Sequence, residues 1–511
     1  MANRSILIIG AGIGGLAAGC YAQMNGYRVR ILEMHTRPGG LCTAWTRHGY
    51  TFDGCIHNLA GTSPGSPFHQ MWRDLGVVPK ISFHAYDELV SVERPDGEPL
   101  TVYTNLDRLA AHMKGLSPSD SPAIDEFIAG ARRFARFDLL GLALASPFER
   151  IKALAALPPL LKYAGVTLDQ FAHRFVDPFL ARAFPSLVYD WPQSPLLLLM
   201  SFLGRTHVGD FGWAKGGSAK FAEAIEERFR ELGGEIRYQA KVASIIVEND
   251  RAVGVKLSDG REERADIVIS NANGHATIFD MLGGRYTSRA IRDYYAKPED
   301  RIEMGIHVSL GVNRDLSREP HAIVLPLEEP VVIGNEPRTR LYVEPFAFDP
   351  SMAPAGKSAL KVVLATSYRM WEELAHEPAR YNAEKHRVAD TVIELLEKRF
   401  PGIKSQVEVV DVATPITTKH FTGNGHGYRA PISNMIFALF TGRKLSRTLP
   451  GLANFYMVGQ WAGPPGVSLV AAMGRDVAQA ICRRNHVCFE TQSVIPARRP
   501  APESASPAIV R

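Results

Sequence analysis

Gly10-Ala11-Gly12-Ile13-Gly14-Gly15 follows at once on the apolar run Ile6 to Ile9, and residues of this type at this spacing do their chemistry through the backbone. Gly10 permits a tight turn out of a strand, Gly12 lets the main chain approach a pyrophosphate, and Gly15 lets the following helix lie close to the sheet. Amides left unpaired at the start of that helix, with Ala11 and Gly14 in the same loop, then face an anion. Glu33 lies 18 residues beyond Gly15, where the end of the next strand places a carboxylate against ribose hydroxyls. The chemistry implied is the holding of a dinucleotide.

These groups need a strand, a glycine turn, a helix and a second strand, in that order. A small-residue helix running to Asn25-Gly26 and a strand over Val29 to Leu32 meet the requirement. Arg37-Pro38-Gly39-Gly40 adds a second glycine pair within a few residues, for which a bare nicotinamide-binding domain has no use. Far downstream, Phe455-Tyr456-Met457-Val458-Gly459 reads as a buried strand, Gln460 to Gly466 as a loop and Val467 to Cys482 as a helix. In a chain with 44 glycines such a loop is common by itself. Beside the N-terminal unit, it fits a large cofactor clasped from both ends of the chain.

The stretch Gly10 to Gly15, Glu33, Arg37 to Gly40, Gly49-Tyr50-Thr51-Phe52-Asp53 and Ile56-His57 resembles the phytoene desaturase, carotenoid isomerase and retinol saturase group of FAD-dependent oxidoreductases, within the amine oxidase superfamily. So do Gly216-Gly217, Leu232-Gly233-Gly234-Glu235-Ile236 with Val242, Ala265 to Asn271, Thr414-Pro415 through Gly427-Tyr428, and Val458-Gly459 through Gly466-Val467. The motifs keep the group's order, so the likeness covers nearly the whole chain. It implies an α/β architecture: a Rossmann-like FAD-binding domain of the glutathione-reductase type, an α+β substrate domain and a helical subdomain. By this likeness Gly10, Ala11, Gly12, Gly14, Gly15, Glu33, Arg37, Gly39, Gly40, Val242, Asn271, Gly459, Gln460, Gly466 and Val467 hold FAD. Val242 would lie by the adenine, and Asn271 where the chain returns towards the flavin; ordinary sheet residues are the alternative for both. Two positions depart from the superfamily. Leu41 stands where Arg is common, which removes an expected phosphate or flavin contact. Gln460 stands where an acid often lies beside the ribityl chain, and an amide still hydrogen-bonds a hydroxyl.

A flavin carries the redox step itself, so the protein's task is to hold a substrate carbon near N5, exclude water and tune charge near N1. The resemblance nominates His57 and Trp461 as catalytic residues, with Asp53, His426 and Tyr428 nearby. His57 would serve as a general acid or base; the alternative is a hydrogen-bonded structural histidine. Trp461 would stack on the flavin or line a tunnel, or else is a core aromatic, and Asp53 reads as structural, capping a turn. Cys42 and Cys55 are expected to be small buried fillers. The five cysteines, at 20, 42, 55, 482 and 488, are scattered and odd in number, without a CxxC pair. That pattern points to reduced thiols in a cytosol and to no metal site.

The composition, 511 residues with 46% hydrophobic and 22% charged, is that of a large enzyme with two or three domains. The net charge of +5 is spread along the chain, so no nucleic-acid partner is implied. Arg4 and the apolar stretch to Cys20 imitate a secretory signal, but a complete phosphate-binding pattern sits inside it. No apolar run reaches the 18 or so residues of a spanning helix. The cofactor motifs divide the chain into a discontinuous FAD-binding domain at 1–95, 205–290 and 445–487, a helical substrate or membrane subdomain at 96–204, a substrate-binding domain at 291–444 and a disordered tail at 488–511. Within the helical part, Ile124 to Leu144 is expected as a helix. Ile151, Leu154, Leu157, Leu160 and Leu161, flanked by Arg150, Lys152 and Lys162, make either an interfacial helix with basic snorkelling residues or a helix buried against the substrate domain. The first reading puts the protein in the cytoplasm, peripheral on the inner face of the membrane.

The resemblance therefore favours desaturation or saturation of carbon–carbon bonds in a long apolar substrate, with a carotenoid-like polyene leading and a retinoid or fatty-acyl chain behind it. Non-redox cis–trans isomerisation of a polyene uses the same motifs. An amine oxidase is weakened by Gln460 and by the lack of an aromatic pair near the C-terminus. A flavin-free prenyl-binding protein has no need of the intact phosphate and ribose contacts. The electron acceptor, oxygen or a quinone, is open.

Overall fold

The computed structural model describes residues 4–154, 162–163, 165–187, 191–296, 301–424 and 447–491. His426, Tyr428, most of the expected interfacial helix and the tail beyond 491 lie outside these residues.

Five short strands form a parallel sheet: Ser5–Ile9, Arg28–Leu32, Glu235–Arg237, Ile267–Ser270 and Phe455–Met457. Counted along the chain, their order across the sheet is third, second, first, fourth, fifth, the doubly wound arrangement of a Rossmann-like fold. The central strands are almost wholly apolar because both faces are covered, by helices against Ile6 and Ile8 and by a three-stranded antiparallel sheet against Leu7, Ile9 and Val268. Gly10 turns the chain out of the first strand at φ +95° into the helix Ile13–Met24. Half of that helix is Ala or Gly because it is squeezed between two others. A Cβ on Gly474, in Val467–Arg484, would lie 2.5 Å from the Gly14 carbonyl oxygen, and one on Gly19 would lie 2.8 Å from the Phe229 ring of Gly217–Glu231. A three-stranded antiparallel sheet, Val242–Glu248, Arg251–Leu257 and Glu262–Arg264, closes one side, turning at Gly260 with φ +88°.

A second sheet has seven strands. Across it lie Val407–Ala413, Arg301–Val312, Ser358–Ser367, Glu336–Pro345, Ile323–Ile333, Glu88–Val92 and Leu100–Tyr103, antiparallel except where Ile323–Ile333 meets Glu88–Val92. The last hairpin crosses the expected boundary at 95–96: its backbone pairs with the strand at 323–333, so it belongs with this sheet. The long helix Pro378–Arg399 packs on one face through Val388, Val392 and Leu396, four residues apart.

The region between is helical. Ser121–Arg136 crosses Leu196–His207 so closely that a Cβ on Gly204 would meet the Ala131 carbonyl oxygen at 2.4 Å. The densest apolar cluster of the sequence, Leu196 to Leu203, is thus core. The expected helix to Leu144 stops at Arg136, where Phe137 is extended and the Asp138 carboxylate accepts from the Gly141 amide at 2.8 Å to start a separate turn at Gly141–Ala143. The chain also holds its place past the expected boundary at 488. Phe489 packs on Tyr21 with ring centroids 5.9 Å apart, and the Glu490 amide donates to Asn25 at 2.8 Å.

Candidate cofactor site

A cavity of about 840 Å³ opens at the C-terminal edge of the parallel sheet, the edge where doubly wound folds bind ligands. Its size is near the top of the roughly 300–1,000 Å³ usual for small-molecule and cofactor sites. Gly10, Gly12, Gly14, Glu33, Gly39, Gly40, Val242, Asn271, Gly459, Gln460, Gly466 and Val467 all line it. Ala11, Gly15 and Arg37 do not line it: Ala11 and Gly15 are buried behind the wall, and Arg37 is exposed.

Two helices begin on this cavity. Ile13–Met24 starts after Gly12 and Val467–Arg484 after Gly466, whose φ is +112°, and neither first turn is capped by a side chain. Their leading amides and the positive ends of both helix dipoles are therefore available to an anion or a polarised carbonyl. The three residues that do not line the cavity set this geometry. A Cβ on Gly15 would sit 2.2 Å from the Gly10 carbonyl oxygen, so only glycine lets the helix approach its own strand. The Ala11 amide donates to Glu33 at 2.7 Å, and Arg37 donates to the Ala44 carbonyl at 3.1 Å, tying down the chain beyond the glycine pair.

Glu33 is 6% exposed. Its other oxygen accepts from the His35 amide at 2.8 Å. Burial raises its pKa, and the His35 and Ala11 amides act against that rise. Both oxygens are oriented, and each keeps a lone pair for a hydroxyl. Asn271 occupies the centre of the loops. Its amide atoms would lie 2.7, 2.8 and 2.9 Å from Cβ atoms at Gly12, Gly14 and Gly459, so these three glycines make room for this side chain as well as for a ligand. Leu41 lines the cavity and contributes apolar surface where a cation is common, and Gln460 also faces it.

The nominated catalytic residues separate. Trp461 is 5% exposed, packs with Tyr295 and against Gly274, and reaches the cavity from that core. His57 lies outside the large cavity. Its Nδ1 is 2.6 Å from Glu344 of the seven-stranded sheet, beside an enclosed space of about 10 Å³ walled by Tyr86, Trp213, His321, Tyr342, Phe346 and Phe348. Glu344 also meets Lys361 at 3.3 Å, and Lys361, 1% exposed, donates to the Asp53 carbonyl at 3.0 Å. Burial pushes the Glu344 carboxyl up, but His57 and Lys361 outweigh it and hold its pKa at about 2. Asp53 is structural: its carboxylate accepts from the amides of Cys55, Ile56 and Ser218 and from the Ser218 hydroxyl.

The residues 8–75 match the family model described as an NAD(P)-binding Rossmann-like domain. The chain is 28% identical over 489 residues to the chloroplastic prolycopene isomerase of Arabidopsis thaliana, covering 92% of this chain and 81% of that protein. It is 27% identical over 508 residues to the lycopene-forming phytoene desaturase of a Paracoccus strain, covering 94% and 97%. The chain is a relative of the prolycopene isomerases and phytoene desaturases. An oxidoreductase of Methanosarcina mazei shares the fold, with a TM-score of 0.59 at 19% identity over 93% of this chain and all of that one.

Set against these desaturase and isomerase relatives, the cavity also has a part that sequence reasoning missed. Lys419, His420 and Thr422 roof it from the helix Pro415–Thr422, and the edge-to-face contact of His35 with Phe421, centroids 5.1 Å apart, seats that helix over the second strand's end. The available signal was local. Thr414 caps the helix, with Thr417 bonding back and Pro415 in the first turn, a pattern readable as a helix start; the family likeness covers this stretch but nominates only His426 and Tyr428, further along it. Among the described residues no group of His, Cys, Asp and Glu could hold a metal ion, and no helix is long and apolar enough to cross a membrane.

Proposed function

We propose that this protein is an FAD-dependent oxidoreductase acting on carbon–carbon bonds of a long apolar substrate, with a carotenoid-like polyene as the leading candidate. The observation that carries the reading is a large cavity onto which the glycine loop, the buried Glu33 carboxylate and two uncapped helix N-termini all open. The residues fit FAD. The amides of the first helix would hold the pyrophosphate, Glu33 the adenosine ribose, Val242 the adenine side, and Gln460 with Gly466 and Val467 the flavin side. When bound, the flavin would accept or donate a hydride at N5.

The chain's own contribution is placement and dryness. The start of Val467–Arg484 brings a positive dipole end to the flavin side, which favours negative charge there. Leu41, Val470, Met281 and Trp461 line the cavity with apolar surface that excludes water from a substrate carbon. His57 is held by Glu344 on the far side of the Asp53–Ile56 segment, so as a catalytic residue it would act from the sheet, moving a proton at Nε2 while Nδ1 stays bound to the carboxylate. Similarity to prolycopene isomerases supports a second reading, cis–trans isomerisation of a polyene with no net redox change.

An absorption spectrum of the purified protein, taken before and after anaerobic mixing with a carotenoid precursor, a retinoid and a fatty-acyl panel in detergent, decides between them. Bleaching of oxidised flavin bands by one member is expected. Product isomers formed only after prior reduction, without bleaching, would move the assignment to the isomerase, and absence of flavin after reconstitution would remove the enzyme reading. We further propose peripheral contact with the inner face of the membrane. On the helix Pro147–Leu154, Phe148 and Ile151 are 64% and 65% exposed, and the Lys152 ammonium lies 4.3 Å from the Phe148 ring centroid. Flotation with liposomes is expected, and a protein that stays soluble with both anionic and neutral lipids refutes this contact.

A further inference from the structure

The hairpin that leads away from the glycine pair carries two thiols to the wall of the cofactor cavity. Its strands Ala44–Arg47 and Tyr50–Asp53 pair antiparallel with Ala44 opposite Asp53, and the Gly54 amide donates to the Thr43 carbonyl at 2.9 Å, which extends the ladder by one rung. The next opposed positions are Cys42 and Cys55. Here the Cys42 amide turns back to the Gly39 carbonyl at 3.0 Å, ending the ladder, and facing positions of an antiparallel pair have Cα atoms about 4.5–5.5 Å apart. That lies within the roughly 4.4–6.8 Å over which a disulfide closes without backbone movement. Both thiols line the large cavity, and neither is in a disulfide.

Their mounting is more exact than filling space requires. The Asp53 carboxylate takes the Cys55 amide at 2.9 Å and the Ile56 amide at 3.1 Å, and is itself pinned to Ser218 at the start of Gly217–Glu231. The carbonyl of the same Ser218 accepts from the Cys42 thiol at 3.8 Å. One buried anchor therefore fixes both sulfurs. The contact with Cys55 and then burial push the Cys42 thiol pKa up. At neutral pH it is protonated and shielded from oxidants that need an exposed thiolate. The group best placed to exchange electrons with the pair is one bound in the cavity they line.

We propose that Cys42 and Cys55 are a dithiol–disulfide couple in two-electron exchange with the flavin, a step that rests on the FAD reading above. In the oxidising direction two S–H bonds break, one S–S bond forms, and the electron pair passes to oxidised flavin. One of the two protons stays with the reduced flavin as its anion and the other goes to solvent. In the reverse direction reduced flavin returns the pair and the disulfide opens. The couple stores one electron pair beside the cofactor, which is what an isomerase needs if its flavin must stay reduced between turnovers.

Anaerobic dithionite titration of the oxidised holoprotein tests this, with mass spectrometry of alkylated, unreduced tryptic digests as a readout independent of activity. Wild type is expected to take up twice as much reductant per flavin as Cys55→Ser or Cys42→Ala. The oxidised digest is expected to contain residues 31–47 joined to 48–73, a species lost in either variant. The flavin spectrum of each variant reports whether it has folded. Bound flavin with equal reductant uptake in all three proteins and no joined peptide overturns the couple. A protein that binds no flavin, yet joins the two peptides on treatment with diamide, overturns the flavin reading and the exchange with it, while supporting the paired thiols.

Discussion

The parallel-sheet region and the seven-stranded sheet each surround buried polar groups, but they build them from different material. At the cofactor cavity the polar atoms are mostly backbone amides, exposed by glycines and by two uncapped helix starts. In the seven-stranded sheet they are side chains: Glu344, Lys361, His307 and Ser309, drawn from three neighbouring strands and joined by His57 from the other domain. A backbone site depends on where a side chain is absent, and a side-chain site depends on which residues topology brings together. The first should tolerate no substitution that adds an atom; the second should tolerate coordinated replacement.

The largest expected effect follows from that difference. Gly15→Val places a branched side chain whose Cβ would lie 2.2 Å from the Gly10 carbonyl oxygen and 3.2 Å from Asn271 Cβ. Neither neighbour can give without moving the strand–helix junction. The variant is expected to be recovered without flavin or not to fold, read by flavin absorbance and circular dichroism; a flavin-loaded Gly15→Val protein would break the comparison.

Next comes Glu344→Gln. It leaves the Lys361 ammonium, 1% exposed, without its carboxylate partner, facing the Asp53 carbonyl, the Phe346 ring and a neutral amide. Removing one partner of a buried ion pair costs about 3–5 kcal/mol. The unfolding free energy from denaturant titration should fall by that amount while the flavin spectrum of the folded fraction is unchanged. A loss of flavin in parallel with stability would mean that the two regions are not independent.

This contrast also explains what could be read from the chain. Gly10 to Gly15, Glu33 and Gly459 to Val467 announce themselves because a phosphate cradle imposes local spacing, and they do meet at one cavity. His57 was legible as a residue of interest but not as a partner of Glu344, since 287 positions separate them and nothing local to either encodes the pairing. The hairpin Glu88–Val92 and Leu100–Tyr103 carried an ordinary strand pattern; its sheet is decided by a parallel pairing with Ile323 and Val324 far along the chain. Lys419 and His420 were hidden for the same reason, their helix being local and its roofing role tertiary.

Acid should find the side-chain region first. Burial, with Lys361 and His57 nearby, holds His307 down at about 3, and burial holds His321 at about 4, against an ordinary value of about 6.5. Between those limits the unfolded chain binds protons that the folded chain refuses, so stability falls as pH drops below about 6.5. Glu344, held at about 2, adds stability that is complete above its ordinary value of 4.5 and is lost as pH falls towards 2, in the same direction. Unfolding free energy should therefore drop by a few kcal/mol between about pH 7 and pH 5. In His307→Gln that slope should be shallower, and an unchanged slope would show that folding does not depress the His307 pKa.

The smallest effect is expected from the most drastic-looking change. Glu344→Leu combined with Lys361→Met removes both charges at once and leaves apolar groups of similar volume on the sheet face that carries Tyr342 and Phe346. Replacing a buried pair in this way is often neutral or stabilising. The double variant leaves His57 Nδ1 and the Asp53 carbonyl without these partners, so it should lose about 1–3 kcal/mol, less than Glu344→Gln, and bind flavin normally. If it does, the cluster is a set of mutual debts within the sheet, and any role of His57 in turnover must be sought in its effect on the pH profile of kcat. If the double variant is instead as unstable as Glu344→Gln, the Lys361 bond to the Asp53 carbonyl is what joins the two regions. The backbone that carries Cys55 would then depend on a side chain of the opposite sheet.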